Sequence, residues 1–126
     1  MACPKSALKI LDIKYRHCVP LASFEDTLAD IERLGGLEPI SVRRFPEHRL
    51  AICDYGRIEV LGCDDSLPAD LRDTTMVVTV AGLTQLARDL AAKGALILEG
   101  PEPGTDGLWM RVRHRGGDVV DYLEPR

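Results

Sequence analysis

The side chains best suited to chemistry in this 126-residue sequence cluster near its C-terminal end. Trp109, Arg111 and Arg113 alternate with Met110 and Val112, and a second alternating run follows with Val119, Asp121 and Leu123. Successive side chains of a strand point to opposite faces. If Met110 and Val112 face a helix, then Trp109, Arg111 and Arg113 share the other face with Val119, Asp121 and Leu123. An indole on an open sheet face suits stacking against a planar or cationic ligand, and two guanidiniums suit holding a carboxylate. The same placement also suits packing at a dimer interface or rim for Trp109, and a solvated edge for the arginines.

Other chemistry is excluded or thinly supported. Cys3, Cys18, Cys53 and Cys63 form no C-x-x-C pair and have no zinc spacing with the three histidines. Cys18 and Cys53 lie on strand patterns and read as small core residues, since no base is evident that would activate either as a nucleophile. There is no G-x-S-x-G elbow and no P-loop, and Gly100-Pro101-Glu102-Pro103-Gly104 is a poor phosphate cradle because its prolines lack amide donors. Sixteen basic against twenty acidic residues give a net charge of −4, with the basic residues scattered, which argues against binding through nucleic-acid phosphates. The start, Met1 to Ser6, has no apolar h-region and no stretch approaches about 18 apolar residues. Free thiols in a reducing cytoplasm are the expectation, with no membrane partner.

The elements that would position these side chains follow from the period of the apolar residues. A strand is predicted from about Leu8 to Val19, ended by Pro20. From Ser23 to Leu34 the period becomes helical through Phe24, Leu28, Ile31 and Leu34, with Ser23 as N-cap and Gly35-Gly36 as the stop. Strands are predicted at Ile40 to Phe45, Arg49 to Asp54 and Arg57 to Leu61, separated by turns at Pro46-Glu47-His48 and Tyr55-Gly56. A polar stretch from Asp64 to Asp73 resets the pattern. Thr74 to Val80 then reads as a strand, Leu83 to Lys93 as a helix closed by Gly94, and Ala95 to Leu98, Leu108 to Arg113 and Val119 to Leu123 as strands. Residues 100–104 are expected to be loop.

Both halves therefore read β-α-β-β-β. Leu28-Ala29 through Gly36 and Leu86-Ala87 through Gly94 superpose at an offset of 58 residues. The chain is one domain, residues 1–126, built of two modules at residues 8–62 and 74–124. A composition of 45% apolar and 29% charged residues is that of an ordinary globular α+β protein, able to fold without metal or disulfide. Each helix covers one face of its sheet and leaves the other open. With aromatics at only 5%, any aromatic contribution to a site would rest on Trp109, Tyr15 or Tyr55.

The motif Gly107-x-x-Met110-x-Val112-Arg113-x-x-x-Gly117-Asp118-x-Val120-x-Tyr122, and the unit Val78-x-Val80-x-x-Leu83 leading to Lys93-Gly94, resemble the vicinal oxygen chelate superfamily. This is the glyoxalase, bleomycin-resistance and extradiol-dioxygenase group, and the resemblance spans essentially the whole chain. It implies two βαβββ modules in mixed sheets, with a concave groove and the helices on the convex face. The family usually carries Asp before the Leu that opens each helix, whereas this chain has Ser23 and Gly82; the Asp-Pro of its last hairpin is His114-Arg115 here.

Enzymes of this family hold one divalent metal (Ni, Mn, Fe or Zn) with side chains of the first and last strands of each module, which lets the metal chelate adjacent substrate oxygens. The last-strand positions match Glu59 and Asp121, and the first-strand position of module two falls on Thr75, a poor ligand. In module one the alignment places Arg16 there, while a one-residue slip places His17 there and turns it to the other face. Alternation with Ile13, Tyr15 and Val19 puts His17 toward the helix and favours Arg16 in the groove. A metal site would use His17, Glu59 and Asp121; without metal, Arg16 beside Glu59 and Asp121 forms an ion-paired floor.

The expectation is a metal-independent, cofactor-free binding protein for a small molecule, of the sequestering resistance type or an orphan relative. Its ligand would meet Trp109, Arg111, Arg113, Asp121, Glu59, Arg16 and Thr75. The rival is a divalent-metal-dependent lyase, isomerase or dioxygenase. A third reading is a metal-free enzyme with Glu59 or Asp121 as general base. The open sheet faces predict a homodimer.

Overall fold

A computed structural model describes residues 9–65 and 67–126. Cys3, and Leu8 at the start of the first expected strand, lie outside these residues. The elements in order are β1 (Lys9–Pro20), α1 (Phe24–Gly35), β2 (Ser41–Phe45), β3 (Leu50–Asp54), β4 (Ile58–Cys63), α2 (Ala69–Asp73), β5 (Thr74–Ala81), α3 (Leu83–Ala92), β6 (Leu96–Pro103), β7 (Gly107–Arg113) and β8 (Val119–Pro125). The class is α+β with mixed strand pairing, and the β-α-β-β-β order occurs twice. None of the described helices is long and apolar enough to cross a membrane.

The chain divides into two compact units, Lys14–Thr75 and Met76–Arg126 with the N-terminal residues through Ile13. In the Lys14–Thr75 unit the strand order is β2-β3-β4-β1, with β1 parallel to β4 and the β2-β3 and β3-β4 pairs antiparallel. Helix α1 covers one face of this sheet. Phe24 and Leu28, one helical turn apart, bury themselves against Val19, Ala51, Cys53 and Val60. Gly62 belongs to the same face, and a Cβ there would stand 2.7 Å from Phe24 Cδ1, so the ring can approach the strand this closely because that position has no side chain. Tyr55 packs into this core and its hydroxyl donates to Glu32 Oε2 at 3.0 Å, tying the turn after β3 to α1. It is therefore a structural residue of the helix side, not a contributor to a site on the open face.

In the Met76–Arg126 unit the order is β5-β8-β7-β6, with antiparallel β7-β8 and β6-β7 pairs. Leu83, Leu86 and Ala87 of α3 pack on Val78, Val80, Met110, Val112 and Val120. Val120 and Met110 therefore face the helix, as the alternation requires.

Three local expectations are corrected. The run from Gly100 to Pro103 is not loop: β6 continues through Pro103, with register shifts between Ile97 and Glu99 and between Glu99 and Glu102. A proline-containing segment can stay in a strand here because β6 is last in its order and needs no amide donors on its outer side. The polar stretch after Asp64 contains the short helix α2, opening after Pro68. Ser23 makes no side-chain cap; its carbonyl accepts from Thr27 Oγ1 at 2.8 Å instead.

Candidate functional site

The face of each sheet turned away from its helix carries the charged side chains. In the Lys14–Thr75 unit, register pairs Arg16 with Glu59 and His17 with Val60. Val60 packs under α1, so His17 shares the helix side and Arg16 and Glu59 share the other. Arg16 Nε donates to Glu59 Oε1 at 2.9 Å, and the two side chains are only 11% and 13% exposed. Beside them Lys14 Nζ donates to Asp54 Oδ2 at 2.6 Å. Burial alone would raise the Asp54 carboxyl, but Lys14 and the Gly56 amide at 2.7 Å hold it below the ordinary carboxylate value.

In the Met76–Arg126 unit, Arg111 of β7 sits in register between Glu99 of β6 and Asp121 of β8. Its guanidinium meets Asp121 as a fork, Nε to Oδ1 at 2.7 Å and Nη2 to Oδ2 at 3.0 Å, while Nη1 donates to Glu99 Oε2 at 3.0 Å. Arg111 is 8% exposed. Its Cζ also lies 5.5 Å from the centroid of the Trp109 ring. The cation over this indole is thus the protein's own, and the guanidinium expected to hold a ligand carboxylate already holds two internal ones. Gly104 closes on the Trp109 edge, where a Cβ would stand 2.8 Å from Cδ1. Arg113 Nη1 donates to the Gly117 carbonyl at 3.2 Å, bracing the last hairpin. Thr75 is exposed, on the face opposite Val78 and Val80.

These contacts decide how the expected metal ligands would serve. His17 and Glu59 point to opposite faces of one ladder, so they cannot close on the same ion. Glu59 and Asp121 each hold a guanidinium at hydrogen-bond distance, and a divalent ion would have to displace it. Among the described residues no three His, Cys, Asp or Glu side chains gather closely enough to hold a metal. The donor set does not fit the family's metal. The sequence reading foresaw an arginine beside Glu59 but not its counterpart, Arg111 beside Asp121; the alternation that put Arg111 and Asp121 on one face contained that signal.

A cavity of about 760 Å³ lies within the Lys14–Thr75 unit. Its wall is the Val19–Ala22 stretch with Cys18 and Cys63, and its rim carries Arg49, Arg72, Asp64 and Asp65. Arg49 Nε reaches Asp64 Oδ2 at 2.6 Å, and Arg72 Nη1 stands 3.6 Å from the fully exposed Asp65. The sequence reading missed this site, because its residues come from four separate stretches that only the β1-β4 register and the α2 turn bring together. A cavity of this volume suits a drug-sized organic molecule.

No family model matches the sequence, and no curated protein is significantly similar to it. Solved structures do share its fold. A hypothetical protein from Methanosarcina mazei is 24% identical with a TM-score of 0.69, covering 94% of each chain. Methylmalonyl-CoA epimerase from Mycobacterium tuberculosis is 15% identical with a TM-score of 0.69, covering 99% of this chain and 93% of its own. A variant of the Streptomyces coelicolor methylmalonyl-CoA epimerase, in complex with 2-nitronate-propionyl-CoA, is 14% identical with a TM-score of 0.67, covering 93% of this chain and 96% of its own. The fold is of the vicinal oxygen chelate type; at these identities the likeness speaks for the fold alone.

Proposed function

We propose that this chain is a metal-independent small-molecule-binding protein, with its ligand seated in the cavity of the Lys14–Thr75 unit. The observation that carries the reading is the Arg16–Glu59 pair: at a position where the family's enzymes hold a metal, this chain holds a guanidinium in a half-dry site. The cavity rim supports a ligand with an anionic group. Arg72 Nε donates to the Leu67 carbonyl at 3.2 Å, which aims the side chain, while its Nη1 meets Asp65 only at 3.6 Å, a solvated contact of small energy that an incoming carboxylate or phosphate would replace.

Metal content of the purified protein and thermal shifts with Ni, Mn, Fe and Zn salts test the first half. The expected result is no stoichiometric metal and no stabilisation. One tightly bound equivalent that disappears in Glu59→Ala would establish the rival metal-dependent enzyme instead. A thermal-shift screen of anionic small molecules tests the second half: a ligand at a hundredfold its Kd stabilises by about 2.7 kcal/mol, and that shift should vanish in Arg72→Ala. A hit unaffected by Arg72→Ala would place the ligand elsewhere.

The same reading includes a homodimer. Ile10, Leu11, Ile13 and Tyr15 are all exposed along β1, and apolar side chains on consecutive strand positions leave both faces of that segment wetted. Light scattering at micromolar concentration should return twice the chain mass; a monomer mass would overturn the dimer.

A further inference from the structure

Two sulfurs meet at the cavity wall, and ligand binding makes no use of them. In the parallel ladder Cys18 is in register with Leu61 and Pro20 with Cys63, so the two cysteines are diagonal neighbours on one face. Their Sγ atoms lie 2.8 Å apart. Cys63 is buried, Cys18 is half-buried, and both line the cavity. Cys53, by contrast, is fully buried beneath α1 on the other face.

We propose that Cys18 and Cys63 are an oxidisable dithiol that reduces a small hydroperoxide reaching them through the cavity and closes to an intramolecular disulfide. The Cys18 sulfur attacks the O–O bond, forming Cys18–SOH and releasing the other oxygen, which takes a proton and leaves as an alcohol or water. The Cys63 sulfur then attacks Cys18; the S–S bond forms, the S–O bond breaks, and the hydroxyl departs as water with the Cys63 proton. Two thiols and one hydroperoxide give one disulfide, one alcohol and one water, the two electrons passing from sulfur to oxygen.

The surroundings assign the roles. Cys18 is half-buried and Cys63 buried, so Cys18 is the sulfur that the cavity offers to the oxidant and Cys63 is the one that closes on it; burial, and then the hydrogen bond with Cys18, raise the Cys63 thiol above its ordinary value. Arg72 is the nearby cation that eases negative charge at the pair. The two sulfurs stand on the ends of β1 and β4 that form the cavity wall, so a bond between them ties that wall together.

The test uses the full chain, freed of reductant, exposed to hydrogen peroxide under native conditions, then alkylated in denaturant and mapped by peptide mass. The expected product is a Cys18–Cys63 linked peptide pair that dithiothreitol releases, with Cys53 still alkylated. In Cys63→Ser, Cys18 should accumulate as a sulfenic acid trapped by dimedone. Cys18 recovered as an unlinked sulfinic acid in the wild-type protein, or linked to Cys3 or to a second chain, would overturn the proposal, as would a pair still alkylated after the oxidant is consumed. The wild-type map decides the matter even if the serine variant does not fold. Because it reads sulfur bonding and not ligand affinity, its outcome is separate from that of the ligand screen.

Discussion

Arg111→Ala should lower the unfolding free energy by about 3–5 kcal/mol, the usual loss when one partner of a buried pair is removed. For a chain of this length that is a fall in melting temperature of roughly 11–19 °C. The cause is the position of Arg111 between two acidic strands. One 8%-exposed guanidinium satisfies both oxygens of Asp121 and one of Glu99, and it lies over Trp109. Without it, the nearly buried Asp121 carboxylate loses its partner and faces the half-exposed Glu99, a like charge, across an empty register site. Arg111→Lys keeps the charge but loses the fork, so it should recover about half of the loss. The double variant Arg111→Met with Asp121→Leu should be far less damaged than Arg111→Ala, because removing both charges also removes the cost of keeping them dry. Urea unfolding of the wild type, Arg111→Met, Asp121→Leu and the double variant closes the cycle. A cost below about 1 kcal/mol for Arg111→Ala would mean that the pair behaves as a solvated surface contact, and the claim that Asp121 is pre-empted by a guanidinium would fall with it.

That pair also marks what the sequence could and could not disclose. Side-chain alternation in β7 and β8 put Trp109, Arg111 and Arg113 opposite Met110 and Val112, and the core around Met110, Val112 and Val120 has that parity. The two helices were legible because Phe24 and Leu28, and Leu83, Leu86 and Ala87, recur at helical spacing ahead of glycine stops. Parity fixes a face, but it does not fix which residue stands beside which. Cys18 and Cys63 are 45 positions apart, and only the parallel β1-β4 register brings their sulfurs together. The cavity wall was hidden for the same reason. The continuation of β6 through Pro101 and Pro103 was hidden by a different one: proline is penalised where a strand needs its amide, and an edge position removes that need only once the strand order is known.

Glu124→Ala should cost about 2 kcal/mol, which is large for a half-buried carboxylate in the last strand. The reason begins at Gly82, which opens α3 with φ +87 and carries no side chain that could accept from the first amides of the helix. The family pattern has Asp at this point, and its absence left the helix start without an evident cap. Glu124 supplies the acceptor from β8: Oε2 accepts from the Gly82 amide at 2.9 Å and Oε1 from the Leu83 amide at 3.2 Å. A negative charge at a helix N-terminus also interacts favourably with the helix dipole. The contact fixes α3 on the sheet at the point where Leu83 enters the core, fully buried. Glu124→Gln retains a neutral acceptor for one of the two amides and should lose roughly half as much. Hydrogen exchange distinguishes a lost cap from a general weakening: the amides of Gly82 and Leu83 should exchange faster in Glu124→Ala under conditions where Val60 and Val112 remain protected. Gly82→Asp should not rescue the variant, because the left-handed backbone there strains any residue with a Cβ. If Glu124→Ala unfolds at the wild-type denaturant concentration, the helix start is satisfied by solvent and the carboxylate is a bystander.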